Sequence, residues 1–319
     1  MKAIVVTSHG GPEVLEYKDV EPPQPSEGQL LVDVTYAGIN YIDTYYRSGT
    51  YPSNPPYIPG TEGCGRVVED PKGEIAPGTL VAWHAAPGSY AEQVAVDRNR
   101  LVAVPEGVDP AVAASMLLQG MTSHYLLHGV RETKPGDTMV VTAGAGGVGL
   151  ILTQMAAAEE ATVYSVVSSD EKEKLAYEAG ATKVFRYGED LAEQIKAENG
   201  GGGVDVVYDG VGQDTFEMCL NVTRPRGLVC SFGSASGDVE PFKIQELNAH
   251  GALFLTRPSL KHYVATDDEF LMRAQAVARA VEEGTVKIRI HPPYELKNAR
   301  QAHEDLQARN TTGSVVLKV

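Results

Sequence analysis

No stretch of this chain is apolar for long enough to cross a membrane: nothing approaches the roughly 20 residues that a helical span needs. The N-terminal segment MKAIVVTSHGGPEV also lacks the apolar core and small-residue cleavage site of a secretory leader, and reads instead as a strand running into a Gly-Gly-Pro turn. Basic charge is in deficit. Lys and Arg number 27 against 42 Asp and Glu, a formal net charge of -15. A chain of that sign repels phosphate backbones and anionic lipid, so neither a nucleic-acid nor a membrane partner is expected. The acidic surplus reads as solubility. Cysteine is scarce as well. Cys64, Cys219 and Cys230 have no metal-ligand spacing, and an odd number cannot form a complete intramolecular disulfide set. Reduced thiols in a cytoplasmic compartment are the expectation.

At 319 residues, 43% hydrophobic and 22% charged, the chain is globular and long enough for two domains. Residues 1–120 are strand-rich. Segments 29–40, 63–70, 79–85 and 89–97 read as strands broken by Gly and Pro, which suggests a barrel-like β domain. From 121 to 258 strands and helices alternate. Strands at 138–145, 162–168, 183–187, 204–212, 227–233 and 252–258 are separated by helices at 148–160, 170–180, 189–198 and 214–223. Repeated β-α-β order implies a doubly wound parallel sheet. Residues 259–319, with an amphipathic helix at 268–283, a strand over 287–296, a short helix and a final strand, are expected to return to the first domain. The fold class is thus α/β, a Rossmann sheet plus a smaller β-barrel domain.

The sharpest motif is Ala143-Gly144-Ala145-Gly146-Gly147-Val148-Gly149, between a strand and a helix. Pyrophosphate binding needs that placement. The backbone must turn tightly, approach the phosphates with no Cβ in the way, and aim helix N-terminal N–H groups at the anion. The next strand lacks something. An NAD enzyme usually ends it with an acid for the ribose 2′-OH. Here it ends Val166-Val167-Ser168-Ser169, and Asp170 and Glu171 come later, where a helix start favours acids anyway. Two hydroxyls followed by Lys172 suit a 2′-phosphate, so NADPH is expected over NADH. A Ser N-cap and a solvated Lys are the alternative.

With these residues in view, the chain resembles the zeta-crystallin-like quinone oxidoreductases of the medium-chain dehydrogenase/reductase superfamily. The likeness runs through HGGPEVLEY (9–17), GINYIDTYYRSGTYP (38–52), PGTEGCGRV (59–67), QGMTSHYLL (119–127), AGAGGVGL (143–150), YDGVGQDTF (208–216) and TRPSL (256–260). It implies a GroES-like catalytic domain, a Rossmann domain, a cofactor cleft between them and a homodimer. It places Asn40, Asp43 and Tyr45 at the nicotinamide end, Tyr125 near the domain junction, and Gly146, Gly147 and Val148 at the pyrophosphate. Ser168, Ser169, Lys172 and Tyr187 would hold the 2′-phosphate. Phe232, Gly233 and Ser234 would line the nicotinamide ribose, Thr256 and Arg257 would close the pocket, and Arg309 would reach it from the C-terminal segment. Where zinc members of the superfamily have a Cys and a Gly-His-Glu, this chain has Asn40 and Thr61, with Glu62 kept. Cys64 with His84 would leave a site incomplete, so no zinc is expected. His84 and His124 read as structural.

The resemblance implies hydride transfer to a quinone, with Asn40 and Tyr45 as donors to the developing oxyanion. The alternative is an enone or 2-enoyl reductase with Tyr51 as proton donor. An alternative of another class is a crystallin-like NADPH-binding protein without turnover. One departure from the family stands out: the helix after the glycine loop ends Ala158-Glu159-Glu160-Ala161, without the usual glycine stop.

Overall fold

The computed structural model describes residues 1–319, which divide into two compact units. The first comprises Met1–Met121, Val264–Gly284 and Ile288–Val319, and the second Thr122–Tyr263 with Thr285–Lys287. The chain begins with β1 (Lys2–Val6), β2 (Leu15–Asp19), β3 (Gln29–Ile39), α1 (Tyr41–Ser48), β4 (Glu62–Glu69), β5 (Leu80–His84), β6 (Gln93–Asp97), β7 (Leu101–Ala103) and α2 (Pro110–Tyr125). The second unit then alternates β8 (Thr138–Val141), α3 (Gly147–Ala158), β9 (Thr162–Val167), α4 (Asp170–Glu178), β10 (Lys183–Arg186), α5 (Leu191–Glu198), β11 (Val204–Asp209), α6 (Phe216–Val222), β12 (Thr223–Ser231), α7 (Gln245–Ala249), β13 (Phe254–Thr256) and α8 (Leu260–Tyr263). The return carries α9 (Asp267–Glu282), β14 (Tyr294–Glu295), α10 (Ala299–Gln307) and β15 (Val315–Lys318).

In the first unit the sheet order is β14-β15-β3-β4-β5-β7, with β6 also on β3. The 11-residue β3 is the hub. One edge pairs with β4, and the other is shared between β6 over Gln29–Asp33 and β15 over Tyr36–Ile39. Two register shifts against β4 bend the strand, as bulges do at barrel rims. Its alternate residues Leu30, Val32 and Val34 are buried with Trp83, Val96 and Leu317. The Trp83 indole N–H donates to Ser89 Oγ at 3.0 Å, so the largest core residue leaves no buried donor unpaired.

In the second unit all six strands are parallel, in the order β10-β9-β8-β11-β12-β13. The sheet starts in its middle at β8, winds outward through β9 and β10, then reverses through β11, β12 and β13. The reversal between β8 and β11 is the switch point at whose carboxyl edge ligands of such sheets bind.

The short elements β2, β7, α7 and α8 have no counterpart in the sequence reading, and four larger differences have a physical reason. The strand expected over 287–296 shrinks to β14 and a single bridge from Ile290 to Ser314. Pro292 and Pro293 cannot donate to a ladder, which is why pairing fails there. The strand over 89–97 begins only at Gln93, while Ala91 makes one isolated bridge to Ala3. Two helices were not anticipated in the strand-rich part. α1 is flanked by Asn40 and by Gly49 at φ +83°, a start and stop pattern compressed into eight residues. α2 begins Asp-Pro, with the Asp109 carboxylate accepting from the Ala111 N–H at 2.7 Å. It is buried on nearly every side, polar residues such as Ser115 and Ser123 included, so no amphipathic period marks it.

Candidate functional site

The glycine loop leaves β8 at Val141 and enters α3 at Gly147. Ala143 takes φ +49° to make the turn. A Cβ on Gly149 would lie 2.4 Å from the Ala143 carbonyl oxygen, and one on Gly144 would lie 2.8 Å from Ser165 Oγ. Glycine is required at both positions because loop, helix and next strand close on each other. Gly146 is the N-cap, Gly147 and Val148 are the first two helical residues, and no side chain caps this end. The first N–H groups of α3 therefore lack intrahelical partners, the arrangement that binds an anion. Unshielded amides, positive helix end and close backbone approach together fit a pyrophosphate.

Beside the loop, Ser168 and Ser169 follow β9. Ser169 is the N-cap of α4, its Oγ accepting from the Lys172 N–H at 3.3 Å. Its hydroxyl proton remains as a donor. The Lys172 ammonium donates to Ser168 Oγ at 3.3 Å, so the hydroxyl and the charge come together on the exposed face of the α4 start. The Tyr187 hydroxyl accepts from the Ala143 N–H at 2.9 Å and thereby ties the end of β10 to the glycine loop. Tyr187 thus contacts the glycine loop directly, and the Gly144 N–H donates to the Val166 carbonyl at 3.0 Å, just before Ser168 and Ser169. Arg186, the neighbour of Tyr187, was not singled out from the sequence. Its Nη2 donates to Asp170 at 2.7 Å and to Glu173 at 2.5 Å.

At the switch point itself the sequence reading missed Asp209. Fully buried at the end of β11, it accepts from Thr142 Oγ1 at 2.7 Å, Thr215 Oγ1 at 2.8 Å and the Gly212 N–H at 2.9 Å. The available signal was an acid closing the apolar strand VDVVYD, a position tolerable only when the carboxylate is fully hydrogen-bonded. Further along the carboxyl edge, the Arg257 guanidinium donates to the Phe232 carbonyl at 2.8 Å and joins β13 to β12. Gly233 packs so closely on Gly210 that a Cβ would meet its carbonyl oxygen at 2.6 Å. Ser234 and Thr256 lie in these same two strand-end segments. Tyr125 is buried and stacks on Tyr263 at 4.5 Å and 8°, and burial pushes its phenol well above the usual range.

The first unit carries a different kind of cluster. Asn40 is the N-cap of α1 and buried. Its amide nitrogen donates to Glu62 Oε2 at 2.7 Å, and its oxygen accepts from Gln119 at 3.1 Å. Gln119 in turn accepts from Ser314 Oγ at 2.6 Å. The other Glu62 oxygen accepts from the Leu118 N–H at 2.7 Å, and burial pushes this carboxyl up to about 8. Asp43 folds back on the start of α1, accepting from the Asn40 N–H at 2.9 Å and from the Tyr90 hydroxyl at 2.8 Å. Burial pushes it up to about 6. The Tyr90 oxygen lies 3.2 Å from His303 Nε2, and His303 Nδ1 takes the Arg47 guanidinium at 2.9 Å. The ring is thus neutral with its proton on Nε2, and burial lowers it to about 3. Arg47 also donates to Gln307 at 2.8 Å and to the Gly10 carbonyl.

Tyr45 and Tyr51 meet at 5.2 Å between ring centroids, with Tyr41 and Tyr46 on either flank. Arg309 follows α10 in the exposed left-handed conformation at φ +62°, and its charge acts on the Tyr41 phenol of α1. His84 is half-buried, with its Nδ1 buried and unpaired, and desolvation lowers it to about 4. Burial pushes the Cys64 thiol up to about 12.

The comparisons with known proteins match this architecture. The alcohol dehydrogenase GroES-like domain family matches residues 26–106, and the zinc-binding dehydrogenase family residues 147–271. Those two domains with this sheet define an oxidoreductase of the medium-chain dehydrogenase/reductase superfamily. The chain is 40% identical to a quinone oxidoreductase of Pseudomonas aeruginosa, with 99% of each covered. It is 35% identical to a 2-haloacrylate reductase of a Burkholderia species, covering 99% of this chain and 98% of that one. A mycobacterial protein solved with NADPH superposes with a TM-score of 0.97 at 45% identity, with 100% of each chain covered. Within the superfamily, the chain belongs to the quinone oxidoreductase family.

Proposed function

We propose that the protein is an NADPH-dependent reductase of quinone-type acceptors that works without zinc. The carrying observation is the glycine loop at the switch point, followed by a strand after which Ser168 and Ser169 precede the first acid and Lys172 bonds Ser168. Relatives named as quinone oxidoreductases, and a full-length structural neighbour solved with NADPH, support it. In this reading Gly146, Gly147 and Val148 hold the pyrophosphate through backbone amides. Ser168, Ser169, Lys172 and Tyr187 hold the 2′-phosphate. Phe232, Gly233, Ser234, Thr256 and Arg257 line the remainder, and Asn40, Asp43, Tyr45, Tyr125 and Arg309 complete the set by family resemblance.

When bound, NADPH supplies the hydride, and the protein orients it and excludes water. Asn40 and Tyr45 donate to the acceptor oxygen on which charge develops. An amide nitrogen carries two N–H groups, and Glu62 uses one of those on Asn40. Solvent delivers the proton to the hydroquinone. Zinc independence is supported by the donor set. Both Glu62 oxygens are engaged, Asn40 and Thr61 are poor ligands, and no group of three metal-ligating side chains forms.

Free cysteines, all three buried, favour a reducing, cytoplasmic setting. No helix is long and apolar enough to cross a membrane. A homodimer through the β13 edge is part of the proposal, since β13 pairs only with β12 and leaves Phe254 66% exposed. Sedimentation at the mass of one chain would remove that part.

The relative that reduces 2-haloacrylate favours a second reading, an enone reductase with Tyr51 as acid. Tyr51→Phe distinguishes the two: it should abolish enone turnover and leave quinone turnover nearly intact. The cofactor reading is tested by fluorescence titration of NADPH and NADH. Lys172→Ala should cost about 1.5–3 kcal/mol for NADPH and almost nothing for NADH. Equal binding of the two dinucleotides by the wild type would overturn it. Cofactor binding with no turnover on either acceptor class would point to a crystallin-like binding protein.

A further inference from the structure

The start of α4 presents a contradiction. A 2′-phosphate carries a charge of about -1.5 to -2 at neutral pH. Yet the first turn of α4 holds Asp170, Glu171 and Glu173 around the single cation Lys172. Asp170 is also the first acid beyond β9, the type of group that would accept the ribose 2′-OH of NADH. The acids have a local reason to be there, because they oppose the positive end of the helix. On charge alone, however, this turn should repel NADPH and welcome NADH.

Arg186 changes that balance. It is the last residue of β10, in register with Val167 at the end of β9, and its side chain reaches the first turn of α4. One of its nitrogens holds both Asp170 and Glu173, and Nη1 is buried with no partner. The Arg186 side chain is only 35% exposed, whereas the Asp170 side chain is fully exposed. A fixed, partly buried cation is therefore shared by two carboxylates, one of them otherwise free to swing toward a ribose.

We infer that Arg186 is a specificity-determining residue for the dinucleotide: it pins Asp170 and Glu173 and cancels their charge, so that a 2′-phosphate is accepted and a 2′-OH finds no acceptor. Arg186 acts through the two acids and need not touch the cofactor. The inference rests on the reading that the 2′-phosphate lies at Ser168, Ser169 and Lys172.

The test is equilibrium fluorescence titration of NADPH and NADH on the full chain, comparing wild type, Arg186→Gln, Arg186→Lys, Asp170→Asn/Glu173→Gln, and the triple variant. Melting temperatures of each variant report folding. Two freed carboxylates near a phosphate in a half-exposed site should lower the NADPH-to-NADH affinity ratio of Arg186→Gln roughly tenfold, less at high salt. NADH should bind as tightly as before or tighter, a change that mere loss of structure does not produce. Arg186→Lys should retain part of the ratio. The triple variant should recover most of it, because the charges that Arg186 cancels are then gone.

Equal weakening of both dinucleotides in Arg186→Gln, or a triple variant as impaired as the single one, overturns the inference. If Lys172→Ala lowers the ratio while Arg186→Gln does not, the 2′-phosphate reading stands and the role of Arg186 fails. If Lys172→Ala leaves the ratio unchanged, the 2′-phosphate lies elsewhere and both fall.

Discussion

The two units treat polar side chains in opposite ways. In the second, Ser168 and Ser169 are exposed and Lys172 is half-buried at the start of α4, joined by 3.3 Å contacts. In the first, Asp43, Arg47, Glu62 and His303 are buried and each is hydrogen-bonded at 2.7–3.2 Å, Asp43 by Asn40 and Tyr90, Glu62 by Asn40 and Leu118, and Arg47 and His303 by each other. The exposed set is available to an anion that arrives from outside. The buried set has spent its capacity on the fold, and what it delivers is the fixed position of α1, with Asn40 at its head. Polar residues of one chain can therefore differ completely in what a substitution does to them.

The largest expected effect tests the buried set. Arg47→Ala strips hydrogen bonds from His303, Gln307 and the Gly10 carbonyl and opens a cavity, and should cost about 3 kcal/mol in urea denaturation. A loss below about 1 kcal/mol would mean the network is not structural. Lys172→Ala is the counterpart: about 1.5–3 kcal/mol from NADPH affinity but less than about 0.5 kcal/mol of stability. If the melting temperature falls as much as for Arg47→Ala, the contrast between the regions is broken.

The pH dependence of stability sharpens the comparison. Glu62 is raised to about 8 and Asp43 to about 6, so each contributes stability that is complete below its unfolded value. That stability is lost as pH rises through the folded value. His303, at about 3, and His84, at about 4, contribute stability that is present above about pH 6.5 and lost as pH falls toward those values. Opposed slopes should meet in an optimum between the two limbs. Across pH 7, Glu62 alone contributes a decline of up to about 1.4 kcal/mol per pH unit, and Glu62→Gln should flatten it. An unchanged alkaline slope in that variant would show that Glu62 ionises freely.

The smallest effect lies outside both sets. Glu160 takes φ +61° to end α3, and Ala161 N–H reaches back to the Ala156 carbonyl at 3.1 Å, a left-handed stop made without glycine. Glu160→Gly should relieve the strain and raise stability by about 0.5–1 kcal/mol in the same urea titration, with dinucleotide affinity unchanged.

What could be read beforehand follows a physical line. Local signals were legible: the β-α-β alternation, the glycine loop, the missing acid after β9, the absent glycine after α3. Each depends on a few neighbouring residues and on backbone geometry. α2 was hidden because a helix buried on nearly every side shows no amphipathic period, and the strand over 287–296 failed because two prolines outweighed its alternation. Asp209 was invisible as a site residue because its partners Thr142 and Thr215 come from either side of the switch point. The buried network is the extreme case: Arg47 and His303 are 256 residues apart.

The sequence by itself determined the class of the sheet, the anion-binding loop and the hydroxyl-and-lysine end of β9, because these are set by residues within one turn of each other. Only the tertiary structure decided the state of the charges. Whether Asp170 faces a ligand or Arg186, and whether Asp43 and Glu62 are solvated or sealed, depends on which distant strands and helices fold over them, since burial and partner distance set the free energy of a charge.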